Sequence, residues 1–356
     1  MKPLSEEHQI ISMAHGLGIH EGDCVEGIKE FCRCKVRDLI SNAGPISSID
    51  ELERIVCEKL NVTIVEVWND TDLAALIEKY ARQEKNIGFA ALRKDLDAET
   101  FATLIRRKRK PGETDDHYVA VVDCRGEKGA RRFFTRWHEI AHVLTMVEQL
   151  QLPLHRSTVK KDPVEKMMDI IAGDIGFFDS LFSPLLFGEV ARNGGLTFAS
   201  VENVRKGFSP VASMEATLNA CATRLKSPVI VLQAAMGFKR EEERALKSTQ
   251  CELFPAPKPV PQLRVVSAMP NPAARDARLA VHHNMRVPEA SIIATVFAEG
   301  LEFEAVSAEE NLNWWRSSDG KVLSHAQVQI EAMKVRDRVW AIITPRSSRG
   351  RFRNAA

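Results

Sequence analysis

The chain has 356 residues, of which 44% are hydrophobic and 27% charged, with 19 glycines and 16 prolines. These proportions exclude global disorder and low-complexity or collagen-like structure, and the length suits two or three units of ~150 residues. Lys plus Arg at 49 nearly balance Asp plus Glu at 48, a formal charge of +1, so no overall field holds the chain to nucleic acid or an anionic membrane and any such binding needs a local patch.

Within residues 1–45, Val25, Ile28, Phe31 and Val36 recur with helical period until Asn42-Ala43-Gly44-Pro45 breaks the pattern, which predicts one or two helices ending in a turn. Capping residues from Ser47 to Glu51 precede Leu52, Ile55, Val56 and Leu60, and a β-branched run over 62–67 follows, so a helix leads into a strand. Leu73, Leu76, Ile77 and Tyr80 mark another helix, residues 118–122 another strand, and residues 132–147 a helix directly after it. Asp162-Pro163 supplies an N-cap and a first-turn proline for a helix with Val164, Met168, Ile171 and Ile175 on one face. Met214, Leu218, Cys221 and Leu225 give a further helix a buried face. Residues 229–233 change to strand character, 254–261 form a stiff proline-rich connector, and 263–266 and 339–343 read as strands around at least one helix. The expectation is an α+β chain: an N-terminal helical extension over 1–45, a core domain over 46–190, a small helical segment over 191–227 and a mixed α/β domain over 228–356.

The chemistry concentrates in Arg136-Trp137-His138-Glu139-Ile140-Ala141-His142. Histidines at i and i+4 share one helix face one turn apart, so both imidazoles can reach one ion at ~2.0–2.1 Å. Glu139 does not ligate in this pattern; it lies over the open coordination position, where a carboxylate takes a proton from water. That is the logic of an HExxH zinc peptidase, with Zn2+ as the cofactor. Without a metal, the same residues read as two half-buried histidines bonded into the core. A catalytic zinc needs a third protein ligand, and Glu165, 23 residues beyond His142, and Asp169 share a stripe of the later helix. Either acid could reach the metal, and a solvated acidic face is the plain alternative for both.

These residues resemble the ImmA/IrrE family of metallopeptidases. The approach Arg131-Arg132-Phe133-Phe134-Thr135 before the motif is similar to the family's, as is the helix and strand over 50–67. In the family the third ligand is a glutamate opening a later helix, followed by small residues and a proline; Glu165, Ala172, Gly173 and Pro184 match. The resemblance therefore selects His138, His142 and Glu165 as metal ligands, Glu139 as the catalytic residue and Asp169 as a carboxylate behind them. It covers roughly 50–190 and extends weakly to 228, where the helices resemble a helix-turn-helix-like element, with a sensor-like domain beyond. It implies a zinc endopeptidase that cleaves a helix-turn-helix repressor, and so switches on a stress-response or mobile-element programme. Two other readings are a DNA-binding transcriptional regulator with a structural metal site and a non-enzymatic module in which zinc folds a surface for a partner.

The remaining features are weaker. Arg106-Arg107-Lys108-Arg109-Lys110 reads as a solvated loop, and Arg346, Arg349, Arg351 and Arg353 as a basic tail. Cys24, Cys32 and Cys34 lack the spacing of a structural zinc site. Tyr118 and His155 are the candidates, by sequence proximity, for stabilising an oxyanion. Trp314-Trp315 reads as core, and His282-His283 as surface. No run approaches the ~20 apolar residues that span a bilayer, and the first residues lack a signal peptide's apolar stretch. With only seven cysteines, the expectation is a cytoplasmic protein without disulfides and without a membrane partner.

Overall fold

The computed structural model describes residues 6–107, 116–146, 154–157, 162–247, 259–316 and 322–346, with residues 154–157 traced as backbone. The fold is mixed α+β and divides into two compact units. One holds the described residues up to Phe187 together with Asn203–Thr217; the other holds Gly188–Glu202 and the described residues from Leu218 onward. Among the described residues, no single helix is long and apolar enough to cross a membrane.

The first unit opens with helices α1 (Glu6–Gly16), α2 (Cys24–Ile40) and α3 (Ile49–Lys59), followed by strand β1 (Val62–Val67). Side-chain caps start two of these helices: Asp23 accepts from the backbone of Val25 and Glu26, and Ser48 from that of Glu51. Helix α4 (Asp70–Ile77), the short α5 (Leu92–Asp95), strands β2 (Thr100–Arg107) and β3 (His117–Asp123), and helix α6 (Arg132–Leu144) come next. Strand β4 (Leu154–Ser157), α7 (Pro163–Ile175) and most of α8 (Asp179–Asn193) complete the run. Helix α7 begins as its sequence dictates, with Asp162 accepting from Val164 and Pro163 in the first turn.

The sheet of this unit has the order β1-β3-β2-β4. Strands β1 and β3 are parallel, from Val62 opposite Tyr118 to Val67 opposite Asp123, and β2 runs antiparallel to β3 and β4. Alternation along β3 divides the core. Val119 and Val121 pack with Leu73, Leu76, Tyr80, Phe89 and Leu92 on one face, whereas Ala120 packs with Leu104, Val62 and Val143 of α6 on the other. A strand buried on both faces explains the uninterrupted apolar run of β3.

Helices α9 (Phe198–Phe208) and α10 (Met214–Arg224) follow. Phe208, at the end of α9, stacks on Phe177 with ring centroids 5.6 Å apart and meets Phe133 and Phe182 edge-on.

The second unit contains β5 (Ile230–Gly237), α11 (Arg240–Lys247), β6 (Gln262–Pro270), α12 (Pro272–Asp276), α13 (Ile292–Glu299), β7 (Ala305–Asn311), β8 (Gln327–Val335) and β9 (Arg338–Pro345). Its sheet is antiparallel throughout, in the order β6-β5-β9-β8-β7. Ile230, Leu232, Ile330, Ile343, Ile293, Val296 and Trp315 share its core. Buried Asn271 ties the end of α10 to this sheet: its amide reaches the carbonyls of Ala222, Leu225 and Ser227, and its oxygen accepts from Val229 and Ala274.

Several sequence readings need correction. The run expected as a basic loop begins inside β2, where Arg107 is 9% exposed and lies 3.8 Å from Glu84; residues 108–110 lie outside the described residues. The basic side chains hid a strand whose Ala102, Leu104 and Ile105 are all buried. Strands β4, β7 and β8 were not anticipated, because β7 and β8 interleave Glu, Gln, Asn and Ser among their apolar positions. Helix α6 stops at Leu144, where Thr145 Oγ1 turns back onto the Ala141 carbonyl at 2.8 Å. Residues 254–258 of the expected connector, and Arg349, Arg351 and Arg353 of the basic tail, also lie outside the described residues. Trp315 is buried and Trp314 44% exposed, and His282 and His283 are both exposed.

Candidate metal centre

Helix α6 carries the two histidines and α7 the two acids. The helices meet along one side of α7: Thr145 Oγ1 lies 3.5 Å from Met168 Sδ, Gly173 approaches Phe134, and Gly176 lies against Trp137. A Cβ added at Gly176 would stand 2.8 Å from Trp137 Cγ, so only glycine permits this approach.

That packing brings His138, His142 and Glu165 together as a group that could hold a metal ion. His138 Nε2 is 3.2 Å from His142 Nε2 and 3.1 Å from Glu165 Oε2, and Glu165 Oε1 is 3.3 Å from His142 Nε2. His138 and His142 are 0% and 2% exposed. Behind them, Asp169 Oδ1 lies 2.8 Å from His138 Nδ1. A carboxylate only accepts, so this contact calls for a proton on His138 Nδ1, and in that neutral tautomer Nε2 turns a lone pair toward the other two residues. Acceptors converging this closely in a buried site repel one another unless a cation or shared protons lie among them. Separations of 3.1–3.3 Å also match the edges of a tetrahedral face built on bonds of ~2.0–2.1 Å. The residues present thus fit a divalent metal in both chemistry and spacing.

With shared protons on the Nε2 atoms of His138 and His142, burial still opposes ionisation of Glu165, but the hydrogen bonds and charge of the two imidazoles outweigh it and hold the carboxyl well below the usual range. Glu139, next to His138 on α6, is 1% exposed. Of the two oxyanion candidates, Tyr118 packs against Val62, Leu104, Ala120 and Val143, and the side chain of His155 lies outside what the structure describes, its backbone pairing with Thr103 in the sheet.

Two neighbouring features escaped the sequence reading. Arg136, two residues before His138, spans Glu53 of α3 at 3.2 Å and Glu66 of β1 at 2.9 Å, fixing α6 to both. Burial pushes the Glu53 carboxyl up to about 7; Arg136 pulls it down, while Asp50 and Glu66 push it further up. The second feature is a polar link from α2 to both ligand-bearing helices, through Arg33 and Lys35. Neither has a local sequence signal, because the partners are far apart in the chain.

No family model matches the chain, and no match to a curated protein is found.

Proposed function

We propose that the chain is a zinc-dependent endopeptidase of the ImmA/IrrE type, acting on a helix-turn-helix repressor. The convergence of His138 Nε2, His142 Nε2 and the Glu165 carboxylate within 3.1–3.3 Å carries this reading. When bound, zinc supplies Lewis-acid polarisation of the scissile carbonyl and lowers the pKa of the attacking water.

The chain's own residues perform the remaining work. Asp169 holds the Nδ1 proton of His138 and so keeps its Nε2 free to ligate. Glu165, beside both Nε2 atoms, supplies the anionic ligand. Glu139 takes the water's proton and delivers one to the departing amine. Helices α9 and α10 supply the helix-turn-helix-like segment, and the antiparallel unit with its own core serves as the sensor-like domain. The formal charge of +1 favours a protein substrate over strong DNA binding by the chain itself.

The test is co-expression with a candidate helix-turn-helix repressor drawn from the genes flanking that of the chain, wild type against Glu139→Gln, with fragment masses measured. The expected result is cleavage by the wild type alone. Equal cleavage by both excludes the mechanism, and an effect on repressor function without any fragments favours a non-enzymatic module.

A further inference from the structure

We propose that Arg33 and Lys35 of α2 are positioning residues for the metal centre, holding α7 and α6 at the separation at which Glu165, His138 and His142 share one ion. The proposal rests on the metal centre argued above. Helix α7 is gripped from two sides. One side presents Glu165, Met168, Asp169 and Gly173 toward α6; the opposite side, with Pro163, Met167 and Ile170, faces the N-terminal helix pair.

The two ends of that second side differ. Near the first turn of α7, where Glu165 sits, the pair leaves a cavity of about 570 Å³ lined by Ile10, Ile11, Val25, Pro163, Met167 and Ile170. Met167 is buried there but Ile170 stays 44% exposed, so the apolar contact at this end of α7 is partial. Nine residues further along, Arg33 makes a bidentate pair with Asp174, Nε to Oδ2 at 2.6 Å and Nη2 to Oδ1 at 2.7 Å. Both side chains are mostly buried, at 28% and 16% exposure. A planar guanidinium on a carboxylate sets distance and angle together, which a lysine in its place cannot do. The Arg33 fork is itself steadied by Glu26 and Glu30 at 3.0 and 3.1 Å.

Two residues on, Lys35 Nζ donates to the carbonyl of Leu144 at 2.9 Å. Leu144 is the last residue of α6, so Lys35 satisfies one of the carbonyls that the helix end leaves open. The same short stretch of α2, seated by buried Ile28, Cys32 and Val36, therefore holds the C-terminal ends of both ligand-bearing helices. The N-terminal extension thereby becomes part of the metal centre's scaffold.

The experiment measures zinc affinity of the full chain by competition with a chromophoric chelator, alongside the visible spectrum of the cobalt-loaded protein. The variants are Arg33→Ala, Arg33→Lys, Asp174→Ala, Arg33→Ala with Asp174→Ala, and Lys35→Met. Arg33→Ala and Asp174→Ala each weaken zinc binding about ten-fold, in the range for groups that orient ligands. The double variant is no weaker than either single one, Arg33→Lys recovers only part of the loss, and the cobalt bands shift in every weakened variant. If Arg33→Ala does not fold, Arg33→Lys and Lys35→Met carry the same comparison. Zinc affinities within about two-fold of wild type, with unchanged cobalt bands, overturn the positioning role while leaving the metal centre intact. A wild-type chain without zinc affinity overturns the metal centre itself, and the proposal with it.

Discussion

Asp169 Oδ1 stands 2.8 Å from Nδ1 of His138, on the side of the ring away from Glu165. The contact fixes the tautomer and the ring plane, so the energy of ordering His138 is spent before an ion arrives. Asp169→Ala leaves the Nδ1 proton to water. Zinc affinity should fall by about ten-fold or more, as read by chelator competition. The melting temperature of the metal-free chain should fall only slightly, because the Asp169 side chain is 49% exposed and water can take its place at the Nδ1 proton.

Gly176 tests the packing that brings α7 to α6. A methyl group there meets the fully buried Trp137 ring, and neither side can yield without moving a helix. Gly176→Ala should destabilise the fold by ~1–3 kcal/mol, the usual cost of overpacking. It should also weaken zinc binding. Urea unfolding of the metal-free chain and a zinc titration together check both effects.

Glu53 makes stability depend on pH. In the folded chain it keeps its proton up to about pH 7, against an ordinary value of 4.5. Its contribution is fully present below pH 4.5, is lost as pH rises through about 7, and stays level above that. Wild type should therefore lose up to ~3 kcal/mol across this window relative to Glu53→Gln, whose amide does not titrate. Denaturant midpoints of the two proteins between pH 4.5 and 7.5 measure the difference; parallel curves would place the Glu53 proton elsewhere.

Much of the scaffold was legible in the sequence because its signals are local. Asp162-Pro163 announces α7, Ser48 announces α3, and the β-branched run over 62–67 announces β1. The spacing of His138 and His142 gave a metal pair by helix geometry alone, and left Glu165 and Asp169 equivalent on one stripe. The family resemblance, not the spacing, chose Glu165 over Asp169, and the packing of α7 on α6 sets one acid beside both Nε2 atoms and the other beside Nδ1 of His138. What stayed hidden was non-local or masked by polar residues. Arg33 and Asp174 are 141 positions apart, and nothing in either neighbourhood points to the other. Strand β2 was obscured by the arginines at its end, and β7 by the acids along it.

The most direct measurement is the zinc content of the purified full-length chain after dialysis against a trace of zinc, with wild type, Glu139→Gln and His142→Ala in parallel. The account predicts about one zinc per chain in wild type and in Glu139→Gln, and almost none in His142→Ala. Wild type that takes up no zinc, or His142→Ala that retains it fully, would contradict the metal centre on which the proposed chemistry stands.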